Sequence, residues 1–179
     1  MDRSEFVLAP WRSQEIIKKA VFGLIEAGAI EEDFSVSKML ADKGIRLKAF
    51  SEFKKENLES LRKISVSFRN DGLCLNCPDD DNDGRCRMVA YDDSVREETH
   101  CFVILHEYGH IDLGHTQQSA VGEAEAICYA TAAIVFLMLR KFFAALMSTN
   151  GFDIEKVEVF YKMLEDQIQG GADELKNLL

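Results

Sequence analysis

The chain has 179 residues and 47% hydrophobic content, which favours one globular domain, or one domain with a modest appendage. Its formal net charge of −10 argues against direct nucleic-acid binding, because such proteins usually present a basic face to the phosphates. No basic segment followed by an apolar run opens the chain, and five cysteines is an odd number for a secreted disulfide framework, so we expect a cytoplasmic protein.

The first third of the chain predicts helices and one strand. Helical periodicity predicts a helix over about 13–28, and Ser35 is placed to cap a second, short helix. Alternating apolar and charged residues predict a strand over about 45–49, and the charged stretch over about 52–63 predicts a surface helix. Residues 1–63 therefore form an N-terminal part of helices and one strand.

The middle of the chain carries a strand pattern. Segments 64–69, 72–76 and 85–91 alternate apolar with polar side chains, and the Asn-Asp-Gly sequence at 70–72 is a strong turn signal. We expect these three segments to form a small antiparallel meander.

The C-terminal half predicts three helices. The first covers about 94–111 and begins with Ser94 and Glu97 at the spacing of a capping box. A long apolar helix follows over about 122–147, and a last helix covers about 153–168.

These parts predict a single α+β domain over 1–179, in which a small antiparallel sheet packs against a helical half. Residues 64–147 would hold the sheet and two helices with candidate site residues, and 148–179 a C-terminal helix. The apolar run over 126–139 is shorter than the roughly 20 residues of a membrane span, and two basic residues follow it. We interpret it as a core helix and expect no membrane partner.

His106, Glu107 and His110 form an H-E-x-x-H motif on the 94–111 helix. Four residues advance about 400° around a helix, so the two histidines share one face about one turn apart. There they can take adjacent corners of a tetrahedral zinc ion. Glu107 is rotated by about 100° and lies beside the metal, where it can act as the general base toward water. The motif predicts zinc-dependent peptide hydrolysis.

A third ligand could come from the next helix. Glu123 and Glu125 both lie at its start, and they are about 200° apart around the axis, so one of them at most can face the metal. The other would be a first-turn glutamate favoured by the helix dipole. His115 and Tyr91 are candidates for stabilising an oxyanion during catalysis.

The cysteines leave a second metal site open. Cys74 and Cys77 form a C-x-x-C pair and Cys86 follows, but a structural zinc would need a fourth ligand such as Cys101 or His100. We interpret the pair as free cysteines on a hairpin.

The segment from Leu105 to His115 resembles the A-H-E-L-G-H-x-x-L-G-H segment of ImmA/IrrE-like metallopeptidases, and Phe102 matches that family's usual Phe. Residues 123–130 resemble its E-x-E-A-N-x-F-A segment, with Ile127 in place of the Asn. The resemblance implies a zincin-like fold, of the gluzincin kind. It also implies that Glu123 is the third zinc ligand and that some members cleave a repressor protein.

Two functions follow as hypotheses. The first is a zinc-dependent endopeptidase that hydrolyses a protein substrate, for which a transcriptional repressor is implied by the resemblance alone. The alternative is a non-catalytic zinc-binding regulatory or protein-interaction module with the same fold. Ile127 and the lack of the family's Arg-rich stretch before Phe102 favour the module. Glu107 favours the enzyme, because a purely structural zinc needs no base there.

Overall fold

The computed structural model describes residues 8–76 and 87–150, with side chains as far as residue 141. The chain divides into two compact units, Met1–Leu137 and Met138–Leu179, and the boundary falls within the last helix described. The elements in the described ranges are α1 (Pro10–Glu26), α2 (Val36–Asp42), β1 (Arg46–Ala49), a 3-10 helix (Phe50–Glu52), α3 (Lys55–Ile64), β2 (Gly72–Leu75), β3 (Met88–Tyr91), α4 (Glu97–Asp112) and α5 (Ala120–Asn150).

The sheet is mixed, whereas the sequence predicted an antiparallel one. Its strand order is β1-β3-β2, and β3 pairs parallel with β1 and antiparallel with β2. The predicted strand over 64–69 is wrong, because α3 continues to Ile64 and the Ser65 hydroxyl then accepts a hydrogen bond from the Cys74 amide at 3.2 Å. The Ser65 side chain thus accepts the hydrogen bond of a β2 amide that would otherwise be available to the backbone of a neighbouring strand.

The central strand β3 is buried on both faces. Val89 belongs to the main core with residues of α1, α4 and α5, whereas Met88 and Ala90 pack with Phe50 and Leu73 in a second cluster on the other face. Successive side chains of a strand point to opposite faces, so the sheet separates the two clusters. The predicted α+β class, with a small sheet packed against helices, is confirmed.

Two helix starts test the predicted caps. Ser35 caps α2, since its hydroxyl accepts from the Lys38 amide at 3.2 Å. The capping box at the start of α4 is wrong, because the Asp92 carboxylate binds both the amide and the hydroxyl of Ser94, at 2.9 and 2.6 Å. This local turn ties up Ser94 before the helix, and α4 begins only at Glu97.

The long helix α5 contains one stretch, Ala120–Lys141, that is long and apolar enough to cross a membrane by length and composition. A core helix can meet the same criterion, and the first half of α5 packs into the main core through Ala126, Tyr129, Ala130 and Ala133.

The predicted helix over 153–168 and the loop with Cys77 and Cys86 lie outside the described residues. The single-domain interpretation stays a prediction.

Candidate metal centre

The middle of α4 is buried on all sides, and it carries ionisable groups. Residues 103–111 are all buried, and within them His106 and Glu107 are 0% exposed and His110 1%. Buried polar groups of this kind are costly unless they are paired or bind a metal. The helix therefore brings ionisable side chains into the core, where they need partners.

The donor groups of His106, His110 and Glu123 meet at one point between α4 and α5. The two Nε2 atoms lie 3.3 Å apart, and each lies close to a different carboxylate oxygen of Glu123: that of His106 is 3.3 Å from Oε2 and that of His110 is 3.4 Å from Oε1. A tetrahedral ion with bonds of about 2.0–2.1 Å holds its ligand atoms about 3.3–3.4 Å apart. The three groups therefore lie close enough together to bind one metal ion.

The protonation of these groups also suits a cation. Burial lowers the pKa of His106, which favours a neutral imidazole. Burial raises the pKa of Glu123, but its contacts with His106 and His110 outweigh that effect and bring the pKa well below the usual range. An imidazole lone pair beside a carboxylate is a donor combination that zinc prefers.

The structure distinguishes the two glutamates at the start of α5. Glu123 faces the histidines, and its Oε1 also accepts a hydrogen bond from the Phe68 amide at 2.6 Å. Glu125 points elsewhere and binds Arg12 and His115. The three predicted metal ligands are thus brought together, and Glu125 is not among them.

Glu107 lies beside this centre and is fully buried. Its Oε1 accepts from the Ser67 hydroxyl at 2.9 Å, and its Oε2 has no hydrogen-bond partner among the described residues. Burial raises the pKa of Glu107 from 4.5 to about 8. A carboxylate with a raised pKa is a stronger base, as general-base catalysis near neutral pH requires.

Gly72, the first residue of β2, makes room for Glu107. A Cβ atom at this position would lie 2.5 Å from Glu107 Oε1 and 2.8 Å from Val103 Cγ1. Both distances are too short for non-bonded atoms, so any side chain at position 72 must displace Glu107, Val103 or the strand.

We expect Gly72→Ala to lower stability by about 1–3 kcal/mol, the usual cost of overpacking a core. Thermal unfolding would measure the loss, and any peptidase activity should fall with it because the Glu107 carboxylate moves. Gly23→Ala is the matched control, since its Cβ would meet no atom closer than 3.9 Å. A Gly72→Ala protein as stable and active as the Gly23→Ala protein would contradict this packing.

The other two predicted site residues lie in different surroundings. The ring of His115 contacts His110, with 2.9 Å between their Nδ1 atoms, and its Nε2 lies 2.9 Å from Glu125. The ring of Tyr91, at the end of β3, packs against His100 with 5.0 Å between centroids. Their role in stabilising an oxyanion stays a prediction.

Several residues that surround the centre were not predicted from the sequence. Ser67 and the Phe68 amide come from the stretch that was predicted as a strand, and Arg12 comes from α1.

A cavity of about 580 Å³ lies along the first turns of α4. Arg69 lines it, held by two bonds to Asp71 at 2.7 and 2.5 Å.

Comparison with known proteins gives one match. The family model described as the IrrE N-terminal-like domain, Peptidase M78, matches residues 65–170, more than half of the chain. None of the curated proteins and none of the solved structures matches. The matched range contains the whole H-E-x-x-H helix and the glutamate that meets its histidines. The chain therefore belongs to the IrrE N-terminal-like family of peptidases.

Proposed function

We propose that the protein is a zinc-dependent endopeptidase whose metal is held by His106, His110 and Glu123. The observation that carries this proposal is the 3.3–3.4 Å spacing of the three donor groups in a chain of a peptidase family. A zinc ion bound there would lower the pKa of water to about 7 and polarise the scissile carbonyl.

Glu107 is the general base in this proposal. Ser67 holds one carboxylate oxygen, and the other, with no partner among the described residues, is the one that takes a proton from the attacking water. Glu107 then delivers that proton to the nitrogen of the departing amine. One side chain thus serves both proton transfers of peptide hydrolysis.

The substrate we propose is a protein, and a transcriptional repressor is proposed on the family resemblance alone. The cavity beside α4 has the volume of a small-ligand site and could accept a substrate side chain. Val103 forms part of the wall of this cavity. The side chains of Val103 and Glu107 both lie next to Gly72. We place the protein in the cytoplasm, without a nucleic-acid or membrane partner.

One observation favours the alternative, a non-catalytic zinc-binding regulatory or interaction module. The metal-facing side chains are almost inaccessible, with Glu123 the most exposed at 17%. The stretch 65–70 covers them, held by the bond from Phe68 to Glu123 and by the Gln118 amide, which donates to the Ser67 carbonyl at 3.1 Å. A peptide would have to displace this stretch to reach the centre.

A cleavage assay separates the two functions. The zinc-loaded protein is incubated with a proteome-derived peptide library, and new N-termini are identified by mass spectrometry. We expect the parent to cut, and Glu107→Gln to cut about 100-fold less or weaker still, the usual contribution of a general base. Glu97→Gln, an exposed position on the same helix, is the matched control and should cut like the parent.

The assay has two adverse outcomes. A parent that binds zinc and yields no new N-termini would support the module. Equal cleavage by the parent and Glu107→Gln would remove Glu107 from the chemistry.

A further inference from the structure

We infer that His115, Glu125 and Arg12 form a hydrogen-bonded relay that fixes the tautomer and ring orientation of the metal ligand His110. The inference rests on the proposed metal site, and it assigns these three side chains a positioning role. None of them is required to touch the substrate.

The relay is continuous from the surface to the centre. The Arg12 guanidinium makes two bonds to Glu125, from Nε to Oε1 at 2.6 Å and from Nη2 to Oε2 at 3.0 Å. The same Oε2 lies 2.9 Å from His115 Nε2, and His115 Nδ1 lies 2.9 Å from His110 Nδ1. Helix α1 is thereby connected to the metal centre on α4.

One assignment of protons on neutral rings satisfies the contacts of the relay and leaves His110 Nε2 able to bind a metal. Arg12 is a donor only, so the Glu125 carboxylate accepts from it and also accepts from His115 Nε2–H. A neutral His115 then has a lone pair on Nδ1, and this lone pair accepts from His110 Nδ1–H. The proton of His110 is then on Nδ1, and its Nε2 lone pair is available to the metal ion that His106 and Glu123 would share with it.

Other proton positions on the neutral rings each fail at one contact. With the proton of His115 on Nδ1, its lone pair on Nε2 would face the Glu125 carboxylate at 2.9 Å. With the proton of His115 on Nε2 and that of His110 also on Nε2, two lone pairs would face each other between the rings. Arg12, which is always charged, thus influences the tautomer of the ligand His110 through two intervening side chains, Glu125 and His115.

The turn after α4 explains how His115 reaches this position. Gly114 has a φ of +75°, a conformation that glycine adopts readily, and the His115 amide then donates back to the His110 carbonyl at 2.9 Å. Gly122 lies against the ring, since a Cβ there would be 3.4 Å from His115 Nδ1, at van der Waals contact.

The two histidine ligands differ in this support. The outer nitrogen of His106, Nδ1, is buried and has no hydrogen-bond partner among the described residues. Ligating histidines usually donate their outer N–H to a fixed partner, and loss of such partners typically costs 10–100-fold in metal affinity. In the described part of the chain, this support reaches the metal site through His110. Its removal should therefore lower the zinc affinity markedly.

The first test measures zinc affinity of the full chain by competition with a chelator. We expect His115→Ala and Glu125→Ala to weaken binding by about 10–100-fold. Glu15→Ala is the matched control, since Glu15 also binds Arg12, at 3.3 Å, but contacts neither histidine of the relay. If Glu125→Ala does not fold, Glu125→Gln keeps the volume and removes the charge, and we expect a loss in the same direction.

The second test observes the tautomer directly by nitrogen-15 NMR of the histidine side chains in the metal-free Glu123→Ala protein, because the Glu123 carboxylate, 3.4 Å from His110 Nε2, would otherwise compete for a proton on that nitrogen. In this background we expect His110 to carry its proton on Nδ1, and the added change His115→Ala to give a mixture of the two tautomers. A role limited to packing would leave the tautomer unchanged. An unchanged tautomer, or variants that bind zinc as tightly as Glu15→Ala, would overturn the relay.

The two proposals fail in different ways. If His106→Ala binds zinc like the parent, the metal site itself is wrong. If His106→Ala abolishes binding while His115→Ala and Glu125→Ala leave both zinc affinity and tautomer intact, the relay alone is wrong.

Discussion

Replacement of Glu123 by alanine should lower the affinity of the protein for zinc by about 100-fold or more. Zinc sites in small proteins release about 10 kcal/mol or more on binding, which leaves about 3 kcal/mol for each of three ligands, and 1.4 kcal/mol is a factor of ten. The variant also leaves the Phe68 amide without its carboxylate acceptor. Isothermal titration of the metal-free protein with zinc would measure the change.

Glu97→Ala is the control for this prediction. Glu97 is likewise a first-turn glutamate of its helix, on α4, and it is exposed, so its removal repeats the helix-dipole effect without touching the centre. Zinc affinity equal in Glu123→Ala and Glu97→Ala would show that Glu123 is not a ligand, whatever its position in the structure.

The second large effect is on stability, where Glu107→Gln should make the metal-free protein more stable at neutral pH. Burial raises the pKa of Glu107 from 4.5 to about 8, so folding at pH 7 requires this carboxyl to take up a proton. Each pKa unit is worth about 1.4 kcal/mol, so the interval from 4.5 to 7 makes the cost at pH 7 at most about 3.5 kcal/mol. Glutamine has nearly the same shape and carries no such cost.

The sign of the pH dependence follows from the direction of the shift. Between pH 4.5 and about 8 the folded state binds more protons at Glu107 than the unfolded state, so this group makes stability fall as the pH rises. The difference in the free energy of unfolding between Glu107→Gln and the parent should therefore be absent near pH 4 and grow in favour of the variant toward pH 8.

Denaturant unfolding of both chelator-treated proteins at several pH values would measure this difference. Because it compares two proteins that share all other titrating groups, the difference isolates Glu107. Glu97→Gln should match the parent at every pH, as exposed substitutions usually do. An advantage of Glu107→Gln that is absent at pH 8, or that shrinks as the pH rises, would contradict the buried setting of this carboxyl.

The metal centre could be predicted from the sequence because its geometry is local. The spacing of His106 and His110 fixes their common face on any α-helix, and the resemblance selected Glu123 over Glu125. Spacing alone could not make that choice. The two glutamates lie on different sides of α5, and the sequence does not show which side of α5 faces α4. In the structure Glu125 is used as well, in the contact with His115.

The features that were predicted wrongly or missed from the sequence depend on contacts between residues that are distant along the chain. Alternation over 64–69 resembles that of a strand, but Ser65 and Ser67 use their hydroxyls to bind Cys74 and Glu107. The parallel pairing of β1 with β3 joins segments about 40 residues apart, which no local pattern reports. Arg12 likewise reaches Glu125 only through the tertiary fold.

X-ray absorption at the zinc edge of the zinc-loaded protein tests the central claim most directly. We predict a first shell of nitrogen and oxygen at about 2.0–2.1 Å, with the scattering pattern of two imidazole rings and no sulfur. Sulfur ligands at about 2.3 Å would place the metal on cysteines such as Cys74 and Cys77, and a shell without imidazole would contradict the site at His106 and His110.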